Sequence, residues 1–429
     1  MSDVSKNRVG PDGVATTPTT YHVGSINLTA ADGKTYEISN IVAYFEIYES
    51  IALPTIEVTL GIGDSINFME TAKLQGSEKI TIDVHRKQSN GRKKFKLELY
   101  VVEIYNYVRP KPGMQTFSLR AVGEHVYVDS LTKLNRSFQG SPTDVIKKIA
   151  SSDLGISNFE NTAGSSNIIK GIFPNIRPLD AVDWLKEQAF DESTPFFFYH
   201  TAVDDKVHLK SYKELVGEPV YDTYVYRPFT DEDISLETKE GYEHERTKIR
   251  SLSSNYGQGK LTPAMGGAYA ANLHTLDISD KSYIKTTYQY DNSMYKLNKN
   301  KSFSDSISFA DRKLTEHKDA KIYFISGNKK SFNTTGNYYS TSNVDLAKAI
   351  SYSNHLSHQE HTITIAGDFD LKAGDKIKVE VRKTKEEADG SGIDKLQSGI
   401  YMITAITHTF KDGYFQDLLI QKDSSEVAL

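Results

Sequence analysis

His355, His358 and His361 are the residues whose type and spacing come nearest to a metal site. The first two lie one helical turn apart and the third is in reach of the chain leaving that helix. They sit where a helical pattern gives way to the strand pattern Thr362 to Ile365, and Glu360 is the one carboxylate beside them. The set lacks a fourth ligand and the partners that orient ligands, so no metal is expected. A second cluster, Arg86, Lys87, Arg92, Lys93, Lys94 and Lys96, could contact phosphate or an acidic partner. At a hairpin tip of an acidic chain it reads instead as a solvated tip. Gly257-Gln258-Gly259-Lys260 lacks the earlier glycine of a phosphate loop and has Leu261 where Mg²⁺ coordination needs a hydroxyl, so it reads as a loop. The acid pairs Asp204-Asp205 and Glu386-Glu387 fall in turns and read as solvating loops, not as a glycosidase pair. The patterns G-x-S-x-G and H-E-x-x-H do not occur. Trp184, the single tryptophan, stands beside a helical core stripe and is expected in the core, not on a sugar platform. No catalytic, cofactor-binding or metal residue is therefore assigned, no cofactor is expected, and an enzymatic role is not.

Composition narrows the classes further. The 429 residues carry 51 Lys and Arg against 56 Asp and Glu, a net charge of −5, which disfavours nonspecific attraction to DNA or anionic membrane. Cysteine is absent, which removes disulfides, thiolate metal sites and cysteine nucleophiles together. The start MSDVSKNRVG lacks the apolar stretch of a signal peptide and no apolar run approaches bilayer length, so a soluble protein assembled in the cytoplasm, without membrane insertion, is expected. With 26 Tyr and 19 Phe the chain should be rich in strands.

The elements follow from period. Residues 1–20 read as a loose arm. From 21 to 125, short alternating runs broken by Asp32-Gly33, Gly61 to Asp64, Asn90-Gly91 and Pro110 to Gly113 predict one antiparallel β-barrel, with a type I′ turn at Asn90-Gly91. From 126 to 194 the period becomes helical. Ser141-Pro142 and Pro178 open helices whose faces are Val145, Ile146, Ile149, Ala150 and Ala181, Val182, Leu185, Ala189, giving a small α/β unit. Residues 195–255 with 358–423 read as a second, discontinuous barrel, interrupted by an insertion over 256–357. The insertion is polar with scattered strands and ends in a helix over 344–357.

An internal echo links the two barrels. Gly76 to Val84 matches Gly374 to Val381, Leu99 to Ile104 matches Ile400 to Ala405, and Gly113 matches Gly413. Phe117 and Leu119 match Leu418 and Ile420, with Tyr100 set over Tyr401 and Val102 over Ile403. If the module was copied, the hairpins should superpose, lie side by side, and carry few Lys or Arg on their inner strands. The fold class expected is mainly β with α+β insertions: two related antiparallel tube-like barrels, a small helical or mixed domain and an irregular insertion.

The segments 24–54, 173–189, 194–212, 366–381 and 398–423, taken in order, resemble the central baseplate hub protein of contractile phage tails. The resemblance implies a homotrimeric ring in the virion tail, each chain giving two tube-like barrels, that adapts a hexameric tail tube to a trimeric central spike and leaves a bore for the genome. It also implies contacts with other baseplate proteins and the tape measure protein, with DNA passing unbound. The alternative of another class is a tail adhesin or wall-degrading enzyme working through residues 256–341.

Overall fold

The computed structural model describes residues 17–88, 91–226, 239–255, 261–278, 281–291, 294–298, 308–327, 343–383 and 392–424. Besides the three-residue strand Thr35–Glu37, which edges the first strand, the alternating region builds six longer strands: β1 (His22–Thr29), β2 (Val42–Ser50), β3 (Glu57–Asp64), β4 (Lys79–Gln88), β5 (Gly91–Lys111) and β6 (Met114–Val122). All pair antiparallel, and β5 is long enough to serve two partners. Its first half pairs with β4, which pairs with β1, and its second half pairs with β6. From β6 the sheet continues through β3 to β2. Phe45, Ile47, Val58, Leu60, Ile80, Ile82, Leu97 and Leu119 close one core, each 1% exposed or less. Gly61 has a steric reason, since a Cβ there would stand 2.1 Å from the Tyr44 ring. The turn expected at Asn90-Gly91 is corrected in part: Gly91 pairs with Gln88 and stands in β5, not at a central turn position, while Asn90 lies outside the described residues.

After β6 the chain forms the small domain. Ser141 caps α1 (Pro142–Lys148) by accepting from the Asp144 amide at 3.2 Å, and Pro178 opens α2 (Pro178–Lys186). Ile146, Ala181 and Leu185 pack on Phe198 and Leu209 from the hairpin β7 (Phe196–Thr201) and β8 (Lys206–Ser211). Sequence placed that hairpin with the second barrel. In the fold one of its faces completes the small domain's core, while Tyr199 on the other joins a separate cluster. Trp184 is not in the core: it is 38% exposed and meets Phe138 and Phe173 edge-on at 5.8 and 6.2 Å. It stands one position off the buried stripe of a nine-residue helix.

Beyond β9 (Val220–Tyr226) and β10 (Ser251–Asn255) comes the insertion. Its described residues form a sheet of β11 (Ala270–Asp277) between β12 (Ser282–Gln289) and β13 (Ile322–Gly327), followed by α3 (Asn343–Leu356). Ala347, Tyr352 and Leu356 of α3 pack on Leu273 and Tyr288. The polar composition of this region follows from covering one sheet face only.

The chain then completes the second barrel with β14 (Gln359–Ala366), β15 (Lys376–Val381), β16 (Gly399–Phe410) and β17 (Tyr414–Lys422). Its register repeats the first. Val101 donates to Glu78 at 2.9 Å, and Ile403 donates to Asp375 at 2.9 Å. A bulge follows each, at Val101/Glu103 and Ile403/Ala405, before Ile104 meets Leu119 and Ile406 meets Leu418. The expected matching of residues is therefore corrected by one position: Leu99 corresponds to Tyr401, Tyr100 to Met402 and Val101 to Ile403, with Leu119 over Leu418 and Ala121 over Ile420. Only this register keeps both buried sets inward, because a one-residue slip reverses every side chain. The copies diverge at the outer strand, where β1 runs antiparallel to β4 but β9 runs parallel to β15.

Candidate assembly interface

The two barrels share one sheet. Strand β16 pairs with β17 on one edge and with β2 on the other, Thr407 opposite Tyr48 and Phe410 opposite Phe45. The Phe45 and Phe410 rings stack with centroids 4.4 Å apart. Eight strands run in the order β10-β14-β17-β16-β2-β3-β6-β5.

Two buried ionisable side chains hold the junction. Glu49, 0% exposed at the end of β2, accepts the Ala202 amide of the β7–β8 turn and the Ala373 amide before β15, both at 2.6 Å. One side chain thus ties first barrel, small domain and second barrel. Burial pushes its carboxyl up to about 8, against the lowering effect of the two amides. His408, with Nε2 4.0 Å away, is pushed down to about 3 by burial, so the pair is neutral. The second is Arg86. It is not part of a solvated tip: it is 2% exposed, donates to the carbonyls of Pro18, Thr20 (2.7 Å) and Gly367 (2.9 Å), and lies over Phe369 and Tyr414. Lys94 and Lys96 are exposed, and the side chains of residues 87–93 lie outside the described residues.

Both side chains support predictions. Replacing Arg86 with leucine leaves three buried carbonyls without their donor and is expected to cost about 3 kcal/mol, read by urea unfolding. Lysine should recover little, lacking the planar fork. Glu49 has a folded pKa above its ordinary 4.5, so its contribution is present in full below about 4.5 and lost as pH rises through 8. The buried His125, His361 and His408, lowered to about 4, 4 and 3, have the opposite sign and cost stability as pH falls below 6.5. Thermal melting should therefore fall off on both sides of a maximum. Glu49→Gln should lower stability overall and flatten the alkaline limb, whose slope is at most about 1.4 kcal/mol per pH unit for one proton. An unchanged alkaline limb would refute this assignment.

Of the acid pair Asp204-Asp205, Asp204 belongs to this junction and is not part of a solvating loop, whereas Asp205 stays in the β7–β8 turn with its side chain 41% exposed. Asp204 accepts from Lys372 at 3.1 Å and from Thr201 at 2.6 Å, and Asp205 accepts from His200 at 3.0 Å. Glu386-Glu387 and Gly257 to Lys260 lie outside the described residues. The histidine triplet is dispersed. His355 bonds the Ser351 carbonyl at 2.8 Å and stacks on Tyr290, whereas His361 meets the Tyr401 hydroxyl at 2.8 Å inside the second barrel. Among the described residues no group of three or more His, Asp or Glu could hold a metal ion.

Among the described residues each end of the eight-strand sheet has an open edge: the second half of β5 pairs there with β6 alone, with Tyr107 and Val108 45% and 53% exposed, and β10 pairs with β14 alone. Under the barrel-to-barrel correspondence β5 matches β16 and β10 matches β2. The two open edges are thus equivalents of the two strands already joined within the chain.

The sheet face turned away from both cores is polar and acidic. Across it run Ser251, Thr364, Asp417, Thr407, Tyr48 and Glu57, each opposite the next. Glu46, Glu103 and Glu360 lie on the same face. Away from the rim, where Lys111 and Arg250 sit, the only basic residue of this face among the described residues is Arg120. It is paired with Glu57 at 2.8 Å and Glu103 at 3.8 Å.

No protein-family model matches the chain, and no curated protein matches it. Solved structures do. The tail protein from Neisseria meningitidis MC58 superposes with a TM-score of 0.55 at 13% identity, over 94% of this chain and 97% of that one. The 43 kDa tail protein of prophage MuSo2 from Shewanella oneidensis superposes with a TM-score of 0.53 at 11% identity, over 93% and 98%. The fold, over more than nine-tenths of the chain, is similar to that of these two tail proteins.

Proposed function

We propose that this chain is the structural hub of a contractile tail baseplate, a homotrimeric ring joining a six-fold tube to a three-fold spike. The observation that carries the reading is the β16–β2 pairing inside one chain together with the two open edges equivalent to it. Repeating that pairing between chains joins β5 of one copy to β10 of the next. Three copies of the eight-strand run then close a ring of twenty-four strands and leave no open edge.

The ring has two unlike ends. The β5–β6 and β16–β17 turns lie at one end, where both barrels present short hairpins, so the pattern repeats six times and suits a hexameric tube. At the other end the chain leaves β6 for the small domain and β10 for the insertion, one of each per chain, which suits a trimeric spike. The acidic Ser- and Thr-rich face lines the bore, where it repels phosphate and lets the genome pass unbound. The role is structural and not enzymatic. Native mass spectrometry of the protein with its tail neighbours tests the reading: a trimer is expected, and an assembled complex holding one or two copies would sink it.

A further inference from the structure

The insertion sheet has one face on α3 and one in solvent. On the solvent face Leu276, Tyr283 and Phe324 are 53%, 60% and 81% exposed. His274 stands between the two aromatic residues, with ring centroids 5.7 Å from Tyr283 and 5.2 Å from Phe324, and its Nδ1 is hydrogen-bonded to the Tyr283 hydroxyl. Beside this platform opens a cavity of about 590 Å³, in the range of roughly 300–1,000 Å³ usual for small-molecule sites. Its floor is Asn272, 3% exposed, which donates to Asp319 at 2.7 Å and accepts from Thr287 at 3.1 Å. Phe309 and Met265 supply apolar wall.

The cavity lining carries Lys285, Arg312 and Lys318 against Glu316 and Asp319, one positive charge in excess. Asp319 is engaged by Asn272, and Glu316 accepts the Lys313 amide at 2.8 Å. Lys285, Arg312 and Lys318 also line the cavity and have no carboxylate partner among the described residues.

We infer that this face binds an acidic saccharide. Aromatic rings offer flat faces to the C–H side of a sugar ring, and the Thr287–Asn272–Asp319 chain presents the mixed donors and acceptors that sugar hydroxyls need. The three cations supply charge-assisted bonds to a carboxylate or phosphate on the sugar. A uronic-acid polymer and a phosphate-linked glycan share this chemistry. The site is separate from the ring-forming edges and does not depend on them.

The test is direct binding to the full-length protein by titration calorimetry, using oligogalacturonate, a glycerol-phosphate glycan oligomer, a neutral cello-oligosaccharide and polyglutamate. At least one acidic glycan should bind, with the neutral glycan and polyglutamate weaker by about tenfold or more. Binding of the carboxylate probe alone, the phosphate probe alone or both identifies the source of the charge and supports the assignment. Lys285→Ala/Arg312→Ala/Lys318→Ala and, separately, Phe324→Ala should each lower affinity about tenfold or more without moving the melting temperature, since these side chains are exposed. Failure of both acidic glycans to bind, equal binding of the neutral glycan or polyglutamate, or unchanged affinity in both variants would overturn it.

Discussion

A protein carrying both Val108→Cys and Ser253→Cys is expected to run as a covalent trimer without reductant and as a monomer with it. The pair follows from register. Val108 and Thr409 correspond, because each faces the same position of its neighbour, Thr116 on β6 and Phe415 on β17. Thr409 is opposite Glu46 inside the chain. Glu46 corresponds in turn to Ser253, through Thr59 on β3 and Thr362 on β14. In the proposed ring, therefore, Val108 of one copy is expected opposite Ser253 of the next. Directly opposed Cα atoms of an antiparallel pair lie about 4.5–5.5 Å apart, inside the range a disulfide spans. The native chain has no cysteine, so any bridge is the engineered one. Each single variant should give no trimer. Open ladders without a trimer band, or bridging only within one chain, would reject the ring.

Lysines on the open face should turn the proposed ring, expected to let DNA pass unbound, into one that binds it. Thr116, Thr362 and Thr407 all lie on that face, in three different strands. Their replacement by lysine places nine added cations around a three-chain bore. Each phosphate neutralised releases a condensed counterion, so binding of duplex DNA should fall with salt at a log–log slope of about −0.9 per contact. If most of the nine engage, affinity should drop on the order of a thousandfold between 50 and 200 mM salt. Fluorescence anisotropy with linear duplex DNA reads both effects. Equal binding by the unaltered protein and the triple variant would show that the acidic face does not act as the lining.

Much of this was legible along the chain because strands and helices announce themselves by period. Alternation at Ile80, Ile82 and Val84, or at Ile377, Val379 and Val381, needs no knowledge of distant partners, and Ser141-Pro142 marks a helix start through local hydrogen bonding alone. The same locality limited the echo. Matching Tyr100 to Tyr401 by identity put the hairpins one residue out of register, since backbone pairing and not residue identity decides which face is buried.

What the sequence by itself determined is the set of elements, the acidic balance, the lack of cysteine and the presence of two similar hairpin modules. Those properties rest on residue type and near-neighbour spacing. Only the tertiary structure decided that Arg86 leaves the basic tip to clamp three carbonyls, that Asp204 braces a junction, and that Glu49 holds three units together. It also decided that β16 and β2 join the modules into one sheet with two matching open edges. The physical reason is range. A charge in a turn looks solvated until chain more than a hundred residues away folds over it, and an edge is known to be open only when every other strand has found its partner.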